Sequence, residues 1–421
     1  MAEEDVKCVM DGKDVIKAGN YVIIRRTHDK ESCRLIKAEI DKPVYLGKQR
    51  IHLNNIFGHR FGTTYAVNKD RNLDVVNIHE TVDQSLELPQ MSAQLEANSK
   101  DNRFILDDGK SQKLSRDDIE SLKSSLTSNE VIENLVKNCT TFDQKTPFAQ
   151  QKYLKKKQKK YSNLVTILRP NVRLLTEMYF SRGPQKIDFL RIDSLSQMLS
   201  LCNVMSGGKY IVLDTNLGIL TAAVVERLGS DGNVIQVYTD VGPVSTYRQA
   251  VDALNLPNET INQILFGLQI NEIYRLSQND SRLEMSDQNN DQQMDESDTK
   301  QTDSEKANRR ALRHKEAMKA LEILKDRDMD GLLYLSKCYE PLDIIMLLID
   351  FLADSRPFAI FSPYMEPLSR CFNELKKKAV FLRLTETWLR KYQVLKDRTR
   401  PDMTMSPSSG PESDSPEELQ N

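Results

Sequence analysis

Residues 207–229, GGKYIVLDTNLGILTAAVVERLG, read as a buried strand, a tight turn and a helix. Tyr210 to Leu213 is a short apolar and β-branched run, Asp214 closes it, and apolar residues return at helical spacing from Leu220 to Leu228. A strand, turn and helix in this order open a βαβ unit. In such units the turn glycines let the backbone approach a ligand, and the acid at the strand end holds a polar group. Here the acid, Asp214, and one glycine, Gly218, are present, but Asn216 holds the middle position and Leu217 follows it. The segment therefore predicts an α/β fold with a degenerate cofactor loop, and the loop assigns no cofactor to this chain.

Working outward, a second strand, Asn233 to Tyr238, follows after one helix length, as a parallel sheet requires. Ser277 to Lys306 is rich in Asp, Ser, Gln and Asn and reads as a disordered acidic insertion. After a charged helix at Ala307 to Lys325 the alternation resumes with GLLYLS, PLDIIMLLIDFL, PFAIFSP, EPLSRCFNELKKK and VFLRLTETWLRKYQVL. An open α/β sheet over Ile187 to Leu395 is the expected result, with Asp214 and Ser336 at the carboxyl ends of strands, where such sheets bind ligands.

A chain of 421 residues implies more than one domain. With 39% hydrophobic and 29% charged residues it holds ordinary cores and polar insertions. The best apolar run, Ile344 to Leu352, is interrupted by Asp350 and is too short for a membrane span. The acidic start MAEEDVK lacks the pattern of a secretory signal, so an intracellular location is expected. The six cysteines are scattered without a CxxC pair, which predicts reduced thiols and no metal site.

Toward the N-terminus, YVIIRR, RLIKAEI, VYLGKQRIHL and TTYAVN read as short strands of a small β-barrel or sandwich. Ser115 is a candidate N-cap for a helix with acids in its first turn, and a second helix is expected at Asn129 to Cys139. From Gln144 to Thr176 there is no carboxylate, yet nine cations fall there: Lys145, Lys152, Lys155, Lys156, Lys157, Lys159, Lys160, Arg169 and Arg173. Such runs are usually solvated faces or linkers. Here the absence of compensating acids and the flanking Tyr153 and Tyr161 favour RNA binding, and KKKQKK has the composition of a nuclear localisation signal. Trp388, the one tryptophan, lies among Arg390, Lys391 and Arg398; packing is its expected role.

The run Asp214-Thr215-Asn216-Leu217-Gly218 resembles the (D/E)xGxG loop of the S-adenosylmethionine methyltransferase fold, with Asn where a glycine stands. In methyltransferases acting at adenine N1, a carboxylate ends the fourth strand. Here GLLYL leads into SKCYEP, with no acid before Glu340, so no catalytic residue is assigned. Over Asp14 to Met405 the chain resembles the non-catalytic subunits of the eukaryotic tRNA (adenine-58-N1) methyltransferase. The likeness is carried by DNRFILDDGKSQKLSRDDI, TTFDQKTPFAQQKYLKKKQKKY, SRPFAIFSPYMEPL and LRLTETWLRKYQVLKDR.

That resemblance implies an N-terminal β-barrel domain over 1–80 and a linker with helices and the basic segment over 81–180. It further implies a Rossmann-like methyltransferase domain over 181–398, within which composition places the disordered insertion at 277–306; four prolines with many Ser and Glu predict a disordered tail over 399–421. It implies tRNA contact at Asn102, Arg103 and Lys110, at Lys155, Lys156, Lys157, Lys159 and Lys160, at Arg182 and Lys186, and at Arg390 and Arg398. The expected assembly is a heterotetramer with a catalytic partner that supplies S-adenosylmethionine. One departure is that MSPSSGPESDSPEELQN stands where the family continues with a Gly-rich turn and an apolar strand, so a sheet edge is expected to be exposed or covered by the partner. The competing readings are a self-sufficient RNA methyltransferase with an atypical loop, and a nuclear scaffold whose basic run serves only import.

Overall fold

The computed structural model describes residues 14–27, 29–46, 49–68, 70–76, 111–125, 128–238, 244–278, 303–394 and 399–401. The DNRFILDDGK segment, residues 279–302 of the acidic insertion and the tail beyond 401 lie outside the described residues. The chain divides into two compact units, Met1–Pro170 and Asn171–Asn421.

The first unit begins with β1 (Tyr21–Arg26), β2 (Asp29–Lys37), β3 (Pro43–Leu46), β4 (Gln49–His52), β5 (Thr64–Val67) and β6 (Leu73–Val75). Among the described residues three helices follow, α1 (Arg116–Ser125), α2 (Ser128–Lys137) and α3 (Pro147–Tyr161), and then β7 (Leu164–Leu168). The antiparallel sheet has the order β2-β1-β7-β5-β6, and β3 pairs with β4 as a hairpin. Alternate residues of the strands, among them Val22, Ile24, Tyr65, Val67, Val165 and Ile167, share one buried core.

The far end of the expected linker thus supplies the central strand of this sheet. LVTIL is β-branched and closed by Pro170, a strand signal that the surrounding cations mask in the sequence. Its backbone groups are satisfied on both sides, with Ile23 opposite Leu168 and Thr64 opposite Thr166. The three helices are likewise packed. Ser115 caps α1 as expected: its hydroxyl accepts from the Asp118 amide at 3.1 Å, and the Asp118 carboxylate accepts from the Ser115 amide at 3.0 Å. Val131, Ile132, Leu135, Phe142, Leu154 and Tyr161 form the core between α2 and α3.

The second unit runs α4 (Val172–Arg182), α5 (Ile192–Leu201), β8 (Lys209–Asp214), α6 (Ile219–Leu228), β9 (Asn233–Tyr238), α7 (Val244–Ala253), α8 (Asn258–Ile264), β10 (Leu265–Gln269), α9 (Ile270–Ser277), α10 (Asp303–Lys325), β11 (Gly331–Leu335), α11 (Pro341–Leu348), β12 (Phe358–Phe361) and α12 (Met365–Leu375). Its sheet is parallel throughout, in the order β10-β9-β8-β11-β12. Strand order reverses between β8 and β11, so the loops after Asp214 and Leu335 meet at the switch point. Ile211 and Leu213 of β8 pack into one cluster with residues of α9 to α12, while α4, α5 and α6 contact one another and α6 lies against β8 and β9. Full burial of β8, β9 and β11 explains their near-continuous apolar runs.

The expected alternation does not extend through VFLRLTETWLRKYQVL. Residues 379–391 carry no regular structure, and only Tyr392–Gln393 (β13) pairs, with Arg400–Pro401 (β14). Among the described residues no strand pairs with the outer edge of β12. An alternating run needs a partner to hold as a strand, and this one has no sheet neighbour. Trp388 is consequently 71% exposed, which corrects the packed role expected for it, and Phe381 is 93% exposed.

Candidate nucleic-acid interface and degenerate ligand loop

The loop between β8 and α6 is filled by its own hydrogen bonds. Asp214 is fully buried. One carboxylate oxygen accepts from the Asn216 amide at 3.0 Å, and the other accepts from the amides of Leu220 at 2.8 Å and Thr221 at 3.3 Å. The acid therefore caps the start of α6, whose first N–H groups have no partner within the helix. Burial pushes its carboxyl up to about 6 against the opposing pull of those three amides, and the nearby Asp188 adds to the rise.

Gly218 has φ +75°, and the close approach it permits is taken by the chain itself: a Cβ there would overlap the Tyr247 carbonyl oxygen of α7. The Ala250 amide donates to the Leu217 carbonyl at 2.9 Å, and buried Gln236 donates to the Tyr247 carbonyl at 2.8 Å. Asn216 is 5% exposed, and its side-chain amide donates to the Asp188 carboxylate at 2.7 Å. These residues do not fit a nucleotide-type cofactor such as S-adenosylmethionine. The acid is consumed as a cap, the asparagine points inward, and the glycine's space holds a peptide of α7.

Around the switch point, the Thr215 hydroxyl donates to the Ser336 hydroxyl at 3.0 Å, which also accepts from the Cys338 amide at 3.1 Å. The Lys337 ammonium lies 3.8 Å from the Asp188 carboxylate. Burial raises the Asp188 pKa, and Asn216 and Lys337 oppose the rise. Glu340, the first acid after the strand, stands at the N-cap of α11 and pairs with Arg370 at 3.2 Å. Sequence reasoning missed Asp188 and Gln236. A lone glutamine inside the apolar run VIQVY was a readable sign of a buried polar lock; Asp188 carried none.

In the first unit, α3 folds the KKKQKK run into a helix. Thr146 caps it, accepting from the Ala149 amide at 3.3 Å, and Pro147 starts it. Leu154 and Tyr161 face the helical core, so Lys155, Lys156, Lys159 and Lys160 are exposed along the opposite side. Lys157 differs from them. It is half-buried, its ammonium 5.0 Å from the Tyr153 ring and 5.8 Å from the Tyr161 ring, and burial lowers its pKa. Arg169 and Arg173, the last two cations of the acid-free stretch, pair with Asp14 at 3.6 Å and, in the second unit, with Glu177 at 3.0 Å.

In the second unit, Arg182 ends α4 and Lys186 lies in the short 3-10 turn Pro184–Ile187; both are exposed. Arg390 stacks its guanidinium 5.6 Å from the Trp388 ring. Asn102, Arg103, Lys110 and Arg398 lie outside the described residues. The exposed arm carrying Trp388 is pinned at Thr387, whose carbonyl accepts from Arg191 at 2.6 Å and whose hydroxyl lies 2.6 Å from the Ser194 hydroxyl.

Comparison with known proteins matches residues 15–312 to the Gcd10p family. The chain is 34% identical over 451 residues to the tRNA (adenine(58)-N(1))-methyltransferase non-catalytic subunit TRM6 of Mus musculus, covering 95% of this chain and 88% of the mouse one. It is 31% identical to the Dictyostelium discoideum subunit of the same description, covering 94% and 78%. A solved S-adenosylmethionine-dependent O-methyltransferase from Thermotoga maritima aligns with a TM-score of 0.48 and 13% identity, covering 94% of this chain and 92% of that one.

Proposed function

Because the chain belongs to the Gcd10p family, we propose that it is the non-catalytic, tRNA-binding and scaffolding subunit of a tRNA (adenine-58-N1) methyltransferase. A catalytic partner supplies S-adenosylmethionine and the reacting carboxylate, and the two chains assemble as a heterotetramer. The observation that carries this reading is the loop at Asp214, Asn216 and Gly218, closed on itself by three backbone amides, the Asp188 carboxylate and the Tyr247 peptide. The relatives named as non-catalytic subunits support it, and so do the exposed cations of α3. The apolar arm with Phe381 and Trp388 in solvent supports a partner surface.

On this reading the first unit closes as a small barrel around its single core, and the second is a Rossmann-like methyltransferase fold kept for its surfaces. Lys155, Lys156, Lys159 and Lys160 track RNA phosphates, joined by Arg182, Lys186 and Arg390. A nuclear location goes with the basic run, and a tagged chain with those lysines changed to Gln measures that part by its distribution in cells.

Calorimetry of the isolated chain with S-adenosylmethionine tests the function. No heat of binding is expected, and micromolar affinity would overturn the subunit reading in favour of a self-sufficient enzyme. Co-purification with a stoichiometric methyltransferase chain, and tRNA methylation only by the pair, are the expected positive results.

A further inference from the structure

The degenerate loop does more than lack a ligand. It is tied to two neighbouring segments at the carboxyl ends of the strands. Asn216 reaches Asp188 at 2.7 Å, and Lys337 reaches both the Asp188 carboxylate at 3.8 Å and the Gln185 carbonyl at 3.5 Å. Thr215 and Ser336 bind each other at 3.0 Å, so the loop after β8, the loop after β11 and the turn 184–190 form one polar network. The turn needs outside support. Asp188 and Phe189 both have left-handed backbones, with φ of 49° and 57°, a conformation that non-glycine residues hold only when their surroundings fix it. Asp188 is also 4% exposed, and a buried carboxylate must find donors. A glycine at 216 would leave it without the amide it uses.

The same turn carries Lys186, and Arg182 precedes it by way of Gly183. The backbone is continuous and hydrogen-bonded through this corner: the Lys186 amide donates to the Gly183 carbonyl at 3.0 Å and the Phe189 amide to the Pro184 carbonyl at 2.8 Å. We propose that Asn216 and Asp188 are positioning residues for RNA: their hydrogen bond, made across the former ligand loop, fixes the turn that presents Arg182 and Lys186 to tRNA phosphates. This rests on the reading of those two cations as tRNA contacts. The asparagine in the loop is then a gained function, because it replaces a bound ligand with an internal strut.

The test is tRNA binding by the full chain assembled with its catalytic partner, measured over a salt series with a tRNA transcript. The double variant Arg182→Gln, Lys186→Gln is expected to bind about tenfold more weakly, with a salt slope smaller by about 1.8 for two lost phosphate contacts. Asn216→Gly is expected to weaken binding about three- to fivefold on the wild-type background and to add nothing on the double variant. An equal loss on both backgrounds overturns the positioning role while leaving the two cations as contacts. If the double variant binds as the wild type does, the contact reading fails and the positioning role fails with it. Should Asn216→Gly prevent assembly, Asn216→Ala carries the same cycle: it keeps the Cβ and ordinary backbone freedom but removes the amide that reaches Asp188. Its loss must likewise vanish on the double variant.

Discussion

Gly218 and Tyr247 are packed so closely that a single added carbon on the glycine would overlap the tyrosine's carbonyl oxygen. The glycine that a nucleotide-binding loop uses for its ligand is used here for the packing of α7 on the start of α6. Gly218→Ala should therefore cost stability, not cofactor affinity. With φ +75° adding backbone strain to the overlap, the expected loss is about 2–4 kcal/mol. Thermal unfolding of the chain should show a lower midpoint, with no change in its behaviour toward S-adenosylmethionine.

The Asp214 carboxyl gives a pH dependence of definite sign. Its ordinary value is 3.8 and burial raises it to about 6 in the folded chain, so the native state holds its proton more tightly than the unfolded one. The group costs nothing below the lower value. As pH rises from 3.8 to about 6 it costs progressively more, up to about 3 kcal/mol, and the cost then stays constant. Measured against Asp214→Asn by denaturant titration at each pH, the wild type should lose about that much relative stability across this window and hold level above it. The variant should have a lower absolute stability, since its amide cannot accept all three backbone hydrogen bonds.

The parallel sheet was legible because β8, β9 and β11 are buried on both faces, and such strands print as unbroken apolar runs. The degenerate loop was legible because glycine is irreplaceable where backbone must approach a ligand. β7 was not, because its five residues follow directly on a helix dominated by lysine, and its pairing with β1 joins positions far apart in sequence. The arm at 379–391 was misread for the opposite reason. VFLRL alternates as a strand does, but alternation says only that one face seeks cover. At the candidate site, Asp188 could not be found from sequence because its role depends on backbone left-handedness and on Asn216, 28 positions away.

The five lysines of KKKQKK divide into four and one. Lys155, Lys156, Lys159 and Lys160 changed together to Gln should lower the slope of log affinity for tRNA against log salt by about 3–4. Lys157→Gln should leave that slope unchanged, because its ammonium is half-buried against the Tyr153 and Tyr161 rings, whereas Lys160, also 5.4 Å from the Tyr161 ring, is exposed. It should instead cost about 0.5–1 kcal/mol of stability through loss of those contacts. Filter binding across a salt series separates the two variants, and an equal slope change per lysine would place Lys157 on the RNA with the others.

Thr387 is, with Leu382, a point at which a largely exposed arm is held. Its hydroxyl lies 2.6 Å from that of Ser194 and 3.2 Å from the Arg191 guanidinium, and Arg191 is itself held by Asp193 at 2.8 Å. Thr387→Val keeps the shape and removes the hydroxyl, taking from Ser194 its partner while Arg191 keeps the Thr387 carbonyl and Asp193, at a cost of about 1–3 kcal/mol. Part of that cost can be escaped if the stretch around Thr387 detaches, since Trp388 already lies in solvent, while Leu382 stays packed against the core of the second unit. Trypsin should therefore cut the variant chain faster at Arg383, Arg390 and Lys391, while cleavage elsewhere in the second unit keeps its rate. Addition of the catalytic partner should slow cleavage in both proteins if the arm is a partner surface, and protection at those three sites is the measurement that decides it.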